Sequence, residues 1–116
     1  MEKTTTAASG RHTTNGIPHG LTSLTPFLAI PRAKEAIAFY RDVFGARVVD
    51  VTESDGVVFH AQLDFGNGHL QLGEPVADYH LVPPPEGEDD CYSMGLYCPD
   101  VDALTERAAE AGATIR

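Results

Sequence analysis

Basic residues are scarce in this sequence. Lys and Arg together number 8, against 17 Asp and Glu, so the formal net charge is −9. Because no cluster of Lys or Arg offsets that charge, most of the surface would repel nucleic acids and anionic membranes. Long apolar runs are also missing, and none approaches the roughly 20 residues of a membrane-spanning helix. We therefore expect neither a nucleic-acid partner nor a membrane partner.

Cysteines and common catalytic motifs are equally scarce. Cys91 and Cys98 lack CxxC spacing, and on one extended strand they would lie roughly 23 Å apart, too far for a disulfide. There is no GxSxG turn, no P-loop and no dinucleotide-binding glycine pattern. No apolar segment follows the N-terminal charges, as a secretory signal would require. These absences predict a cytoplasmic protein with free thiols and no nucleophile motif.

The stretch from Leu24 to Gly45 has the strongest pattern in the sequence. An apolar strand, LTPFLAI, stops at Pro31 and is followed by a predicted helix, AKEAIAFYRDVF. Apolar side chains recur in that helix at three- and four-residue spacing, which places them on one face: Ala33, Ala36, Ile37, Tyr40 and Phe44. Gly45 then supplies a residue that tolerates positive φ and ends the helix.

Three further strands are predicted after this helix. ARVVDVTES ends in the turn Ser54-Asp55-Gly56, and VVFHAQLDF then alternates between two faces. Gly66-Asn67-Gly68 predicts a hairpin with a type I′ turn, after which HLQLG returns. The first half is therefore predicted to be a β-α-β-β-β unit.

The second half repeats the first in outline. YSMGLYC-PD-VDALTERAAEAGATI predicts a strand, a helix capped by Asp100, and a further strand starting at ATIR. The fold class is therefore α+β, with paired βαβββ modules of which the second is incomplete. We expect this division: 1–20 a disordered extension, 21–74 the first module, 75–90 a Pro-rich acidic linker, and 91–116 the start of the second module.

Three segments carry a resemblance to a known family: LTPFLAI…AIAFYRDVFGA at 24–46, GNGHLQLGE at 66–74 and YSMGLYCPDVDALTERAAEAGA at 92–113. The duplicated unit resembles the vicinal oxygen chelate superfamily of glyoxalase I, bleomycin-resistance proteins and extradiol dioxygenases. The closest likeness is to its bleomycin-resistance-like subgroup, whose members largely lack an assigned substrate. The resemblance implies curved sheets that form a half-open cavity, with the helices packed outside.

The resemblance also implies where metal ligands lie in the metal-dependent members. Those positions fall on Thr25, Gln71 and Ser93, and a fourth would follow Arg116. Hydroxyl and amide groups are weak ligands for a divalent metal, which favours carboxylate, imidazole or thiolate. We therefore expect no cofactor, although a divalent metal stays open as the alternative.

Strand alternation predicts one polar face and one apolar face for the sheet. The expected ligand-binding residues are Thr25, Phe27, His60, Gln62, Gln71, Ser93 and Tyr97, with Asp64 and His69 on the same face. The opposite face is expected to form the helix-covered core: Leu24, Leu28, Ile30, Phe59, Leu63, Leu70, Leu72 and Leu96. This pattern favours a pocket for a small organic molecule.

His60, His69 and Asp64 are the candidate catalytic residues, because a carboxylate beside an imidazole can support acid–base chemistry. The competing interpretation is a solvated ion pair at the hairpin end. His80 could cover the mouth of the cavity.

Three functional hypotheses remain: a metal-independent binding protein, a metal-dependent lyase, isomerase or dioxygenase, or an assembly partner without activity. Whether the protein is an enzyme stays open. A second module that stops after β-α-β leaves unpaired strand edges, so we expect a homodimer. The alternative is that the chain is part of a longer protein.

Overall fold

A computed structural model describes residues 11–87 and 89–116. Its strands and helices, in chain order, are β1 (Thr13–Thr14), β2 (Ile17–Pro18), β3 (Phe27–Ala29), α1 (Ala33–Phe44), β4 (Arg47–Ser54), β5 (Val57–Asp64), β6 (His69–Gly73), a 3₁₀ helix (Ala77–Tyr79) and α2 (Val101–Glu110). The predicted β-α-β-β-β unit is present as β3 to β6. The fold is mixed α+β, as the sequence predicted.

The main sheet has four strands in the order β3-β6-β5-β4. β3 runs parallel to β6, while β6–β5 and β5–β4 are antiparallel hairpins. α1 packs on one side of this sheet, and its Ala33 and Ile37 are buried there against the inward side chains of the strands. Those strand residues are Leu28, Val58, Ala61, Leu63, Leu70 and Leu72. The core therefore lies between α1 and the sheet.

The ends of α1 agree with the predicted helix, residue for residue. Gly45 adopts a φ of 74° and its N–H donates to the carbonyl of Arg41, while the N–H of Ala46 donates to Tyr40. This αL ending satisfies carbonyls that a helix otherwise leaves unpaired, and glycine adopts it without steric cost.

The two hairpin turns differ in type. Asp55 and Gly56 both have positive φ, as a type I′ turn requires. In the next hairpin Gly66 alone has positive φ, and the N–H of Phe65 donates to the carbonyl of Gly68. Gly66-Asn67 therefore follows the type II′ pattern, and the predicted type I′ turn at Asn67-Gly68 is wrong, because glycine stands at the first central position.

A β-bulge moves Phe59 out of the predicted core. Thr52 pairs with His60 and Glu53 with Val58, which leaves Phe59 as the extra residue on β5. A bulge of this kind interrupts the two-residue alternation. Val58 is consequently buried while Phe59 is 44% exposed. The expected core positions of Leu24 and Leu96 are also wrong, since both side chains are exposed.

The second half contains the predicted helix but neither predicted strand. Asp100 caps α2 through its carboxylate, which accepts a hydrogen bond from the N–H of Ala103. Arg107 donates to the carbonyl of Val43, so α2 is joined to the last turn of α1. Residues 91–98 and 113–116 form no strand, because an extended segment needs a partner strand to satisfy its backbone. Cys91 and Cys98 are free thiols.

The segments on either side of the first module are only partly regular. Residues 1–10 lie outside the described residues, and β1 and β2 form a two-residue hairpin where the sequence predicted no structure. The linker contains the short 3₁₀ helix and an isolated bridge between Val76 and Leu81. Within residues 11–87 and 89–116, no helix is long and apolar enough to cross a membrane.

Candidate functional site

The side of the main sheet that faces away from α1 carries rows of polar and aromatic side chains, and we call it the polar face. Strand register defines its rows. The first row contains Phe27, Gln71, Gln62 and Asp50, the second contains His69, Asp64 and Arg47, and the third contains His60 and Thr52. Directly paired residues on one face of a sheet have neighbouring side chains.

A chain of hydrogen bonds links the first two rows. The Gln71 amide nitrogen donates to the Gln62 amide oxygen over 2.8 Å, and the Gln62 nitrogen donates to Nδ1 of His69 over 2.9 Å. Gln62 is only 4% exposed, so both polar atoms of its amide are satisfied inside the protein. Because Nδ1 of His69 accepts a hydrogen bond, the neutral ring carries its proton on Nε2.

Asp64 continues this chain toward the edge of the sheet. One of its oxygens lies 3.7 Å from Nε2 of His69 and accepts a 2.7 Å hydrogen bond from the N–H of Gly66. The other oxygen accepts from Arg47 over 3.0 Å. The Gly66 N–H and then the Arg47 guanidinium lower the pKa of Asp64. Asp64 is therefore held as an anchoring carboxylate at the hairpin end, where the strand register pairs it with His69.

Aromatic side chains lie near Gln71 on the polar face, since Phe27 is its register partner on β3. The rings of Phe27 and His60 have centroids 6.1 Å apart at an interplanar angle of 35°, and both side chains are half-buried. His60 makes no hydrogen bond or ion pair with the described residues, unlike His69. The polar face therefore combines a fixed amide with aromatic surface that remains accessible.

Three of the predicted ligand-binding residues lie apart from this group. The Thr25 hydroxyl is 3.2 Å from the hydroxyl of Thr22, in the segment before β3. Ser93 is exposed, and Tyr97 is fully exposed. Tyr97 lines a different groove of about 390 Å³, which separates the first module from the start of α2 and also includes Phe44, Phe65 and Leu104. His80 is exposed at the end of the 3₁₀ helix.

The residues at the family's metal-ligand positions do not fit a metal ion. Thr25 is paired with Thr22, Gln71 turns its amide nitrogen to Gln62, and Ser93 supplies one neutral hydroxyl. None of these groups carries the negative charge or the imidazole that such a site needs. Across residues 11–87 and 89–116, no three His, Cys, Asp or Glu side chains are grouped to share a metal.

Arg47 is a site residue that the sequence reasoning missed. The Asp55-Gly56 turn pairs Ser54 with Val57, and counting from that pair places Arg47 opposite Asp64. The count is correct because β4 and β5 each contain one extra residue, so that the two bulges cancel. The turn signal could therefore have identified this ion pair.

Comparison with known proteins identifies the family of this chain. Residues 16–116 match the Glyoxalase/Bleomycin resistance protein/Dioxygenase superfamily. The chain belongs to this superfamily. The resemblance seen in the sequence is thereby confirmed.

One solved structure similar to this chain is TioX from Micromonospora sp. ML1. It has 26% sequence identity and a TM-score of 0.48, and the match covers 79% of this chain and 71% of that chain. A search among curated proteins finds no match.

Proposed function

We propose that the protein binds a small organic molecule on the polar face without the help of a metal ion. One observation carries this proposal: the buried amide of Gln62 fixes the amide of Gln71 next to the half-buried rings of Phe27 and His60. Membership of a superfamily whose proteins often bind small molecules supports it.

The hydrogen bonds already made on this face define what a ligand would meet. One N–H of Gln71 is used by Gln62, which leaves its second N–H and its carbonyl oxygen for a ligand. The chain from Gln71 to Arg47 holds this amide in place, so little ordering cost arises on binding. Phe27 and His60 offer aromatic surface beside it. A planar, neutral molecule with a hydroxyl or amide group fits this arrangement.

The same contacts disfavour the metal-dependent alternative. Nδ1 of His69 accepts from Gln62 and Nε2 faces Asp64, so neither nitrogen presents a lone pair to a metal. His60 would have to find its other ligands outside the described residues. A binding role therefore needs fewer side chains from outside the described residues than a metal-dependent reaction does.

Fragment binding followed by ligand-observed NMR tests the proposal. The probes are phenol, benzamide and 2-naphthol, and the variants are Gln71→Leu and His60→Leu. We expect each variant to weaken fragment binding at least tenfold, whereas His12→Leu, an exposed histidine outside the sheet, leaves binding unchanged. Equal fragment binding by all three variants would rule out the polar face as the site.

We also propose that the protein is a homodimer. Large apolar side chains between residues 92 and 115 are exposed in the single chain: Tyr92, Met94, Leu96, Tyr97, Val101 and Ile115. Contiguous exposed apolar surface commonly marks a protein–protein contact. Proteins of this superfamily often form dimers, and a second copy is the partner that is always available.

A further inference from the structure

A second groove lies on the α1 side of the sheet, away from the polar face. It runs between α1 and the edge strand β4 and has a volume of about 640 Å³. The lining includes Lys34, Ile37 and Arg41 from α1 and Val48, Val51 and Glu53 from β4. Arg47 is the single residue that this groove shares with the rows of the polar face.

The floor of the groove is apolar. Ile37 and Val58 are buried, Val48 is half-buried, and Val51 remains 39% exposed on the edge strand. α1 leaves Val51 open because β4 is the outermost strand of the sheet. An apolar cleft with a few charged groups at its ends is the usual form of a small-molecule site, and such sites span about 300–1,000 Å³.

Basic side chains lie at both ends of the groove although the chain as a whole is strongly acidic. Lys34 and Arg41 lie seven residues apart on α1, which is two helical turns or about 10 Å along one face. The lining contains three basic side chains and one carboxylate in a chain of net charge −9. Each of these basic side chains already has a carboxylate partner, namely Glu53, Asp42 or Asp64, so an anionic ligand must take the place of one of them.

The two ends differ in their contacts. Lys34 reaches across the groove to Glu53 of β4, with an N–O distance of 2.6 Å, and this pair closes one end. Arg41 bonds only its neighbour Asp42, and both side chains are exposed. Because solvent screens an exposed ion pair, this pair is weak and a ligand can replace Asp42. A guanidinium also matches a carboxylate through two parallel hydrogen bonds.

We propose that this groove binds a medium-chain fatty acid, with the carboxylate on Arg41 and the alkyl chain along Ile37, Val48 and Val51. The Lys34–Glu53 pair lies at the methyl end. This site is separate from the polar face, and either can exist without the other.

A titration of the protein with decanoate below its micelle concentration tests this site, followed in ¹H–¹⁵N NMR spectra. We expect saturable shifts in signals of α1 and β4. Val51→Asp should weaken binding at least tenfold, while Val49→Asp, at 38% exposure on the same strand but outside the groove, should not. Arg41→Gln should weaken binding several-fold, whereas Arg32→Gln, which removes another exposed ion pair, should have no effect.

Decanol, which lacks the charge, should bind more weakly than decanoate and should be insensitive to Arg41→Gln. Three results would overturn the site: no saturable shift, equal decanoate affinity in Val51→Asp and Val49→Asp, or shifts confined to the polar face or to residues 92–115. Shifts of α1 and β4 that depend on protein concentration without decanoate would assign the groove to a second copy instead. If Val51→Asp fails to fold, the comparison of Arg41→Gln with Arg32→Gln tests the site, because both arginines are exposed and their replacement leaves the core intact.

Discussion

At the level of single residues, Gln62 connects the first and second rows of the polar face. Its side chain accepts from Gln71 and donates to His69 while almost fully buried. A buried amide in such a position costs free energy unless every partner stays in place. The orientation of Gln71 therefore depends on a residue that a ligand need not touch.

Replacement of Gln62 should destabilise the fold as well as the site. Gln62→Leu leaves Nδ1 of His69 and one N–H of Gln71 unpaired, which we expect to lower the free energy of unfolding by about 1–3 kcal/mol. His60→Leu, two residues away on the same strand, removes no hydrogen bond among the described residues and should change the free energy of unfolding by about 0.5 kcal/mol or less. Urea unfolding measures both. Equal free energies of unfolding for the two variants would show that the amide chain does not stabilise the protein.

Asp64 should make stability depend on acid pH. Its pKa is lowered in the folded state by the N–H of Gly66 and by Arg47. The folded state therefore holds this proton less tightly than the unfolded state, where the pKa is about 3.9. The stabilisation is present above that value and is lost as the pH falls through the lower folded pKa.

The Asp64→Asn variant tests this dependence. The difference in urea midpoint between the unmodified protein and Asp64→Asn should shrink as the pH is lowered from 6 into the acid range. The control Asp50→Asn removes a carboxylate of the same face for which no partner is seen among the described residues, and it should lower the urea midpoint less than Asp64→Asn does at pH 6. A difference for Asp64→Asn that does not vary with pH would contradict the account.

At the level of helices and strands, Gly73 allows β5 and β6 to approach at the bulge. A Cβ at this position would overlap the carbonyl oxygen of Phe59 and lie 3.1 Å from Cζ of Phe27. The bulge, the glycine and the aromatic part of the polar face are therefore linked. A side chain at residue 73 would displace backbone as well as the Phe27 ring.

Gly73→Ala should destabilise the protein by about 1–3 kcal/mol, because overpacking forces the backbone to move. Gly68→Ala is the matched control, since no atom lies within 4 Å of its Cβ position and its φ is not positive. That control should be neutral or slightly stabilising. Thermal unfolding compares the two variants, and equal melting temperatures would show that β5 does not approach Gly73 this closely.

Local signals in the sequence were enough to predict most of the first module. The helix at 33–44 follows from its apolar spacing and from Gly45. The hairpin was also predicted, but a turn at Asn67-Gly68 would pair Asp64 with Gln71, whereas the turn at Gly66-Asn67 pairs it with His69. The bulge at Phe59 was missed because alternation alone cannot show where an extra residue enters a strand. The strand predicted at 92–98 is absent, because strand formation depends on a partner strand and an apolar pattern does not show whether one is present.

The candidate site was predictable to a similar extent. Alternation placed Phe27, His60, Gln62 and Gln71 on one face, and the structure brings them together. It could not place Ser93 or Tyr97, because their positions depend on how the second half packs. It also gave no sign of which amide was buried, since burial is a property of the packed molecule.

For the molecule as a whole, the main feature is that apolar side chains are buried in the first module but exposed near the C-terminus. The first module buries its apolar side chains between α1 and the sheet, while those between residues 92 and 115 remain exposed. We expect light scattering at micromolar concentration to give the mass of a dimer. Leu96→Asp should shift the mass toward the monomer, and Val49→Asp should leave it unchanged. A monomeric unmodified protein would rule out the homodimer.

The side-chain amide signals of Gln62 and Gln71 in a ¹H–¹⁵N NMR spectrum give the most direct test of the polar face. Titration with benzamide, phenol or 2-naphthol should shift the Gln71 signals first, together with backbone signals of residues 69–73. The Gln62 signals should follow through their shared hydrogen bond. Fragment binding that leaves both amides unchanged while signals elsewhere move, or no binding by any of the three, would contradict a ligand site on the polar face.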